Sequence, residues 1–373
     1  MVTTVGAVKG RLGGIEALRA YAAVSVILFH LIGSGGLTVP EQLVFIGSHF
    51  GQGVPLFFVV SGFSLAYGYL GKLGDEQQVS HYFRRRFFRI APLFYTALVF
   101  QLVYLWLCYG VTFNWSDIAL NATFLFNFVP RLTDGIVPAS WTIGVEMLFY
   151  AMLPVVLLWC KNLPRSILAL LLTVLVAGRF GLDAEAFVDK APSFVYHNVV
   201  KNLPLFVWGI VGYHIYAAVE PRIPQGGRRY CGWLIVALGI GGLFLLYHWQ
   251  GLYMWFQLRG IRSAWDTFWG LPFAALCIAL AIYPTRILSN PLSNYLGKIS
   301  FSIYIVHANI LYELGRTGTF TKVLALVPNS PVLGYFLCFG LSMAIIVPIA
   351  ALTFRYIERP GMRVGAQVAH QPK

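Results

Sequence analysis

The chain has 373 residues, 58% of them hydrophobic and only 11% charged. Soluble domains carry about 25% charged residues, so too few charges remain here to hydrate a surface of this size. With a mean hydropathy of +0.70, an ordinary soluble enzyme, a disordered chain and a nucleic-acid-binding domain are all excluded.

A spanning helix needs about 20 mostly apolar residues. Ten segments meet that need, at about 17–36, 50–70, 90–110, 141–160, 165–180, 199–219, 231–249, 264–283, 299–315 and 332–354. The apolar stretch Ile118–Val129 is too short to cross and is expected to lie in a loop or to re-enter. The fold expected is all-α: a polytopic integral membrane protein with about ten transmembrane helices. It reads as one domain over 1–373, with its core at about 11–361 and no appended soluble domain.

The net charge of +13 would suit nucleic acid if it were clustered, but its distribution says otherwise. With both termini cytoplasmic, eighteen Lys and Arg fall in inner loops and seven in outer loops. That bias supports an N-in, C-in orientation. Away from the span edges, only Arg19 and Lys201 sit within spans. The five cysteines are far apart, with no Cys-x-x-Cys and no zinc spacing, so neither a metal nor a disulfide framework is expected.

Charged side chains in the hydrocarbon core cost about 2.5–3.5 kcal/mol on insertion scales and therefore mark function. In the first span, Arg19 and His30 lie about 20° apart on the helix face, with Glu16 on the same stripe. His30 is placed about 20 Å from the cytoplasmic edge by the helical rise. The second span puts Ser61-Gly62 near the midplane. Before the third come Arg86 and Arg89, three apart on one helix face at the cytoplasmic mouth, where guanidinium forks suit phosphate. The fourth span begins Ser140-Trp141-Thr142 and carries Glu146 at a depth similar to His30, which allows a His–carboxylate pair. In the ninth, Ser300, Tyr304 and His307 share a face. These groups are expected to line a shared cavity.

Together these blocks resemble the acyltransferase 3 family of membrane O-acyltransferases, which includes O-antigen, exopolysaccharide and nodulation-factor acyltransferases. The matching blocks are Glu16-Ala-Leu-Arg19 through His30, Phe57-Phe58-Val-Val-Ser61-Gly62-Phe63 and Arg86-Phe-Phe-Arg89-Ile-Ala-Pro92. Further on come Trp141-Thr-Ile-Gly-Val-Glu146-Met-Leu-Phe149-Tyr150, Ile299-Ser300 through Tyr304 and His307, and Glu358-Arg359-Pro360. Thr142 stands where the family often has Ser.

The resemblance implies acyl transfer from acyl-CoA, foremost acetyl-CoA, to a hydroxyl of a carbohydrate-containing acceptor, with no permanently bound cofactor. It also implies a bacterial inner membrane, with a lipid environment and no nucleic-acid partner. An oligomer, or a separate extracytoplasmic partner that completes the transfer, stays open. On this reading Arg19, Arg86 and Arg89 bind the donor, His30 is the general base and Glu146 orients it. Ser61, Trp141, Tyr304 and His307 contact substrate. Direct transfer and an acyl-imidazole route both remain open. The rival reading is a secondary transporter or exporter of a glycan or small polar substrate, since intramembrane His, Arg and Glu also suit a transport path.

Overall fold

A computed structural model describes residues 12–187, 191–259 and 262–368. Among these residues all regular structure is helical, with no strand. Ten principal helices carry the architecture. They are α1 (Gly13–Gly33), α2 (Gly53–Tyr69), α3 (Glu76–Tyr109), α4 (Trp141–Trp159) and α5 (Leu163–Phe187). The second half contributes α6 (Val199–Val219), α7 (Arg228–His248), α8 (Gly270–Ile282), α9 (Ser300–Arg316) and α10 (Pro331–Thr353).

Among the described residues, nine helical stretches are long and apolar enough to cross a membrane. The tenth expected span, 299–315, is α9, a helix of 17 residues and therefore about 25 Å long. Its shortness has a local cause. The preceding helix Pro291–Lys298 opens on an Asn290–Ser293 capping box, and Ile299 leaves helical geometry between the two. Large apolar side chains such as Leu107, Leu175, Leu238 and Phe244 stand exposed on the outside of the bundle. A surface of that kind is matched by lipid rather than water.

The largest difference from the expected boundaries is at α3. The span was placed at 90–110, whereas the helix starts at Glu76, where the Asp75 carboxylate accepts the Gln78 amide at 2.7 Å. It ends where Gly110 turns left-handed at φ 65°. Arg86 and Arg89, expected on one helix face ahead of the third span, therefore lie about 15 and 20 Å inside the same continuous helix as that span. Hydropathy marks only the apolar part of such a helix; the capping residue marks its true start.

At the centre of the core, the Phe206 ring of α6 stacks on Phe149 of α4 and Phe58 of α2, with centroids 3.9 and 4.7 Å away. Next to it α2 and α6 meet backbone to backbone. A Cβ on Gly62 would lie 2.0 Å from the Phe206 carbonyl oxygen, and one on Gly209 would lie 2.1 Å from that of Val59. Small residues permit such close crossings. Overpacking costs about 1–3 kcal/mol, so Gly62→Ala is expected to lower the thermal midpoint of the purified protein by several degrees. Gly68, also on α2, has nothing within 4 Å of a built Cβ. Gly68→Ala should leave the midpoint in place, and equal midpoints for the two variants would refute the close-crossing account.

Candidate active site

Five helices each turn one polar face toward a common cavity of about 70 Å³. α1 contributes Arg19, α2 Ser61 and Ser64, and α3 Arg86 and Arg89. α4 contributes Thr142, Glu146 and Tyr150, and α9 Ser300 and Tyr304. In the four helices that contribute more than one group the spacings are three or four residues, which stacks the groups along single faces. Pockets that enclose a whole drug-sized ligand measure about 300–1,000 Å³. The cavity as it stands takes one end of such a ligand.

The polar groups hold one another. Arg19 Nη2 donates to Ser64 Oγ at 3.0 Å, and Ser64 Oγ donates to the Val60 carbonyl at 2.7 Å. Ser61 Oγ donates to Glu146 Oε1 at 3.0 Å, and the Tyr150 hydroxyl donates to the same oxygen. The Tyr82 hydroxyl donates to the Tyr150 carbonyl at 2.9 Å. The Arg86 guanidinium lies over the rings of Tyr69 and Tyr150, 5.0 and 5.6 Å from their centroids.

Charge balance separates these half-buried arginines from the fully buried Lys201. Lys201 is 2% exposed and neutralised by Asp266 at 3.1 Å, with its ammonium over the Tyr196 ring. Three guanidinium groups line the cavity against the single carboxylate of Glu146. None of the three makes a carboxylate ion pair within 4.0 Å among the described residues. The buried Glu358 carboxylate lies near enough to Arg89 to interact with it through space, and the remaining excess of positive charge on half-buried groups favours an anion in the cavity.

His30 lies outside this cavity. Its Nδ1 is 2.8 Å from Nε2 of His307, and the two rings are 12° from parallel. His307 Nδ1 in turn lies 2.6 Å from the Tyr304 carbonyl oxygen. The Tyr304 ring connects the two places, lining the cavity while its centroid is 5.3 Å from that of His307. Along α1, His30 is eleven residues beyond Arg19, about 16 Å.

The expected groups therefore separate into two sets. Arg19, Ser61, Arg86, Arg89, Glu146 and Tyr304 share the cavity, and His30 and His307 form a pair beyond it. The expected His30–Glu146 pair is corrected: Glu146 is held by Ser61 and Tyr150, and His30 by His307. Equal depth put both groups in one layer, but the neighbour of α1 at that level is α9. Trp141 also stands outside the cavity lining. It stacks on His197 at 4.4 Å and packs against Tyr196 and Phe58.

Sequence reasoning gave no role to Tyr150 or Ser64. Each was detectable, Tyr150 four residues after Glu146 and Ser64 three after Ser61. Glu358 was noted only as part of a block. It is 1% exposed at the end of a π-helical turn, Phe354–Glu358, and accepts from Ser302 Oγ at 2.8 Å. Among the described residues no cluster of His, Cys, Asp and Glu converges as metal ligands.

The segment between α3 and α4 closes over the bundle through buried amides. Asn127 Nδ2 donates to the carbonyls of Trp141 and His197, and Asn121 Oδ1 accepts the Ile136 amide. Asn121 is fully buried, so the Asn121-Ala-Thr123 sequon cannot accept a glycan in the folded chain. At the surface of this segment Arg131 grips Asp117 through two bonds of 2.7 and 2.8 Å. The Arg131 hydrogen bonds hold the Asp117 carboxyl below its ordinary value. A depressed carboxylate stabilises the fold above its unfolded pKa of about 4 and loses that contribution as pH falls through the folded value. Limited proteolysis of this segment should quicken below pH ~4 in the wild type. In Arg131→Gln the rate should already be raised at neutral pH, with less further change on acidification. Identical pH profiles for the two proteins would show that the pair contributes nothing.

A bundle of apolar helices around a positively charged cavity defines an integral membrane protein. A family model described as an acyltransferase domain matches residues 12–351, and the chain belongs to that family, acyltransferase 3. It is similar to the O-acetyltransferase OatA of Staphylococcus aureus (strain NCTC 8325 / PS 47), at 23% identity over 385 residues, covering 95% of this chain and 58% of the relative. It is also similar to the peptidoglycan O-acetyltransferase OatA of Listeria monocytogenes, at 26% identity over 383 residues, covering 93% of this chain and 55% of the relative. The chain thus spans a little over half the length of the curated relatives it matches. No solved structure matches it.

Proposed function

We propose that the chain is a membrane O-acetyltransferase that takes an acyl group from acyl-CoA and delivers it to a carbohydrate hydroxyl. The observation that carries this reading is the convergence of Arg19, Arg86 and Arg89 on one cavity that holds a single carboxylate. CoA phosphates supply the missing negative charge, and planar guanidinium groups bind phosphate bidentately. The family supports acyl transfer, and the name of the Listeria relative gives peptidoglycan as its acceptor. A glycan hydroxyl is accordingly the acceptor class assigned here.

In this reading the N-terminus is cytoplasmic. Arg19 lies about 9 Å and His30 about 25 Å from the start of α1, so the donor enters from the cytoplasmic end and its thioester reaches toward His30. His30 takes the proton of the acceptor hydroxyl as the oxygen attacks the acyl carbon, and the thiol leaves. A second cleft, of about 780 Å³, opens one turn beyond His30. The backbone of Gly33–Gly36 and the side chains of Tyr312, Arg316 and Thr321 line it. Leu37, Val39, Phe320, Leu324 and Val327 line it as well, and its place beyond His30 with hydroxyl and aromatic groups at hand is the ground for assigning it as the acceptor entrance.

The test is direct. Purified protein in lipid nanodiscs is incubated with acetyl-CoA carrying a labelled acetyl group and with muropeptide or neutral oligosaccharide acceptors, and the products are weighed by mass spectrometry. An acetyl mass gained by a saccharide supports the proposal. Absence of CoA binding by the purified chain would overturn it.

A further inference from the structure

We propose that His307 is a positioning residue that holds His30 in a single tautomer, with Nδ1 protonated and Nε2 bare. The proposal rests on the acyl-transfer reading for its purpose, but not for its geometry. A carbonyl oxygen only accepts hydrogen bonds, so the 2.6 Å contact with the Tyr304 carbonyl places a proton on His307 Nδ1. A neutral imidazole then has its lone pair on the other nitrogen, Nε2. That nitrogen faces His30 Nδ1 at 2.8 Å, with the two rings only 12° from parallel. Two lone pairs cannot share such a contact, so His30 Nδ1 carries the proton and His30 Nε2 is left as the acceptor.

His307 is fully buried and cannot leave this arrangement for water. The relay runs from a backbone carbonyl through one imidazole to a second. It does the work that a buried carboxylate does in a Ser-His-Asp triad, fixing tautomer and ring orientation. It does so without adding a negative charge at this depth. During transfer the acceptor proton goes to His30 Nε2 while the hydroxyl oxygen bonds to the acyl carbon. The carbon–sulfur bond breaks, its electron pair leaves on sulfur, and His30 Nε2 returns the proton to give the thiol. The transient imidazolium is stabilised by its Nδ1 proton on His307 Nε2.

The experiment uses full-length protein labelled with 15N-histidine in nanodiscs. Ring nitrogen shifts report each tautomer directly, and His30 signals are assigned by their loss in His30→Ala. Wild type is expected to show His30 protonated at Nδ1 only. His307→Leu removes the acceptor at similar volume. His30 should then shift toward the Nε2-protonated form, and kcat should fall about ten- to a hundredfold with KM for both substrates within about twofold. His307→Gln, whose Oε1 accepts a hydrogen bond near the position of Nε2, should keep the Nδ1 form and most of kcat. A wild-type His30 protonated at Nε2 would overturn the proposal, as would an unchanged tautomer in His307→Leu. If the chain transfers no acyl group, the function proposal fails while the tautomer measurement still decides this one.

Discussion

His30→Ala is expected to lose acyl transfer by about a hundred- to ten-thousandfold while remaining folded in the membrane. Positioned general bases contribute rate factors of that order, and no other group near the cavity is placed to substitute. His307 has its own Nδ1 tied to the Tyr304 carbonyl, and Glu146 already accepts from Ser61 and Tyr150. The variant removes one imidazole that makes a single hydrogen bond, to His307. Leaving His307 Nε2 buried without its donor costs about 1–3 kcal/mol, so the thermal midpoint should fall by a few degrees with the fold kept, and the affinity for CoA should be unchanged. A His30→Ala protein with wild-type turnover would eliminate His30 as the base and, with it, the transfer step drawn above.

Arg86→Ala combined with Arg89→Ala should weaken CoA binding by at least about a hundredfold, read by calorimetry on the purified protein. Each charge-assisted hydrogen bond contributes about 1.5–3 kcal/mol. Two of them lost together give a factor of that size or larger. KM for the saccharide should move by less than about twofold, because the cleft proposed for it lies beyond His30, at the opposite end of α1 from these arginines. The Lys variants at both positions should recover only part of the loss, since an ammonium keeps the charge but not the planar fork. Equal CoA affinity in wild type and double variant would reduce the two arginines to orientation charges of the kind found in any inner loop.

How far these features were legible in the sequence depends on the distance over which each is specified. The course of a single helix is local, and nine of the ten expected spans correspond to helices long enough to cross. Faces are local too: Arg86 with Arg89, or Ser300 with Tyr304, could be paired from spacing alone and do meet in the cavity. Adjacency is not local. Depth placed Glu146 and His30 in one layer, and many pairs of helices satisfy the same depth. That α9 is the neighbour of His30, and α2 the neighbour of Glu146, is set by packing between segments far apart in sequence. The inward placement of the arginines was hidden for another reason. Helix α3 opens with a polar stretch, Glu76 to Arg89, that hydropathy treats as loop although its cap begins at Asp75.

The separation of Arg19 from His30 on one unbroken helix gives α1 the character of a ruler. Arg19 and His30, the proposed donor-binding group and base, are fixed about 16 Å apart by backbone hydrogen bonds, and neither side chain is long enough to close that gap. A donor touches both only if its phosphate and its acyl carbon are separated by a comparable length of flexible chain. Acetyl phosphate, whose phosphate adjoins its acyl group, fails by geometry however well the arginines hold it. Donor choice would then be set by length before chemistry. Removing one turn from α1 between the two residues would shift the preferred arm by about 5 Å, retuning the enzyme without touching either group.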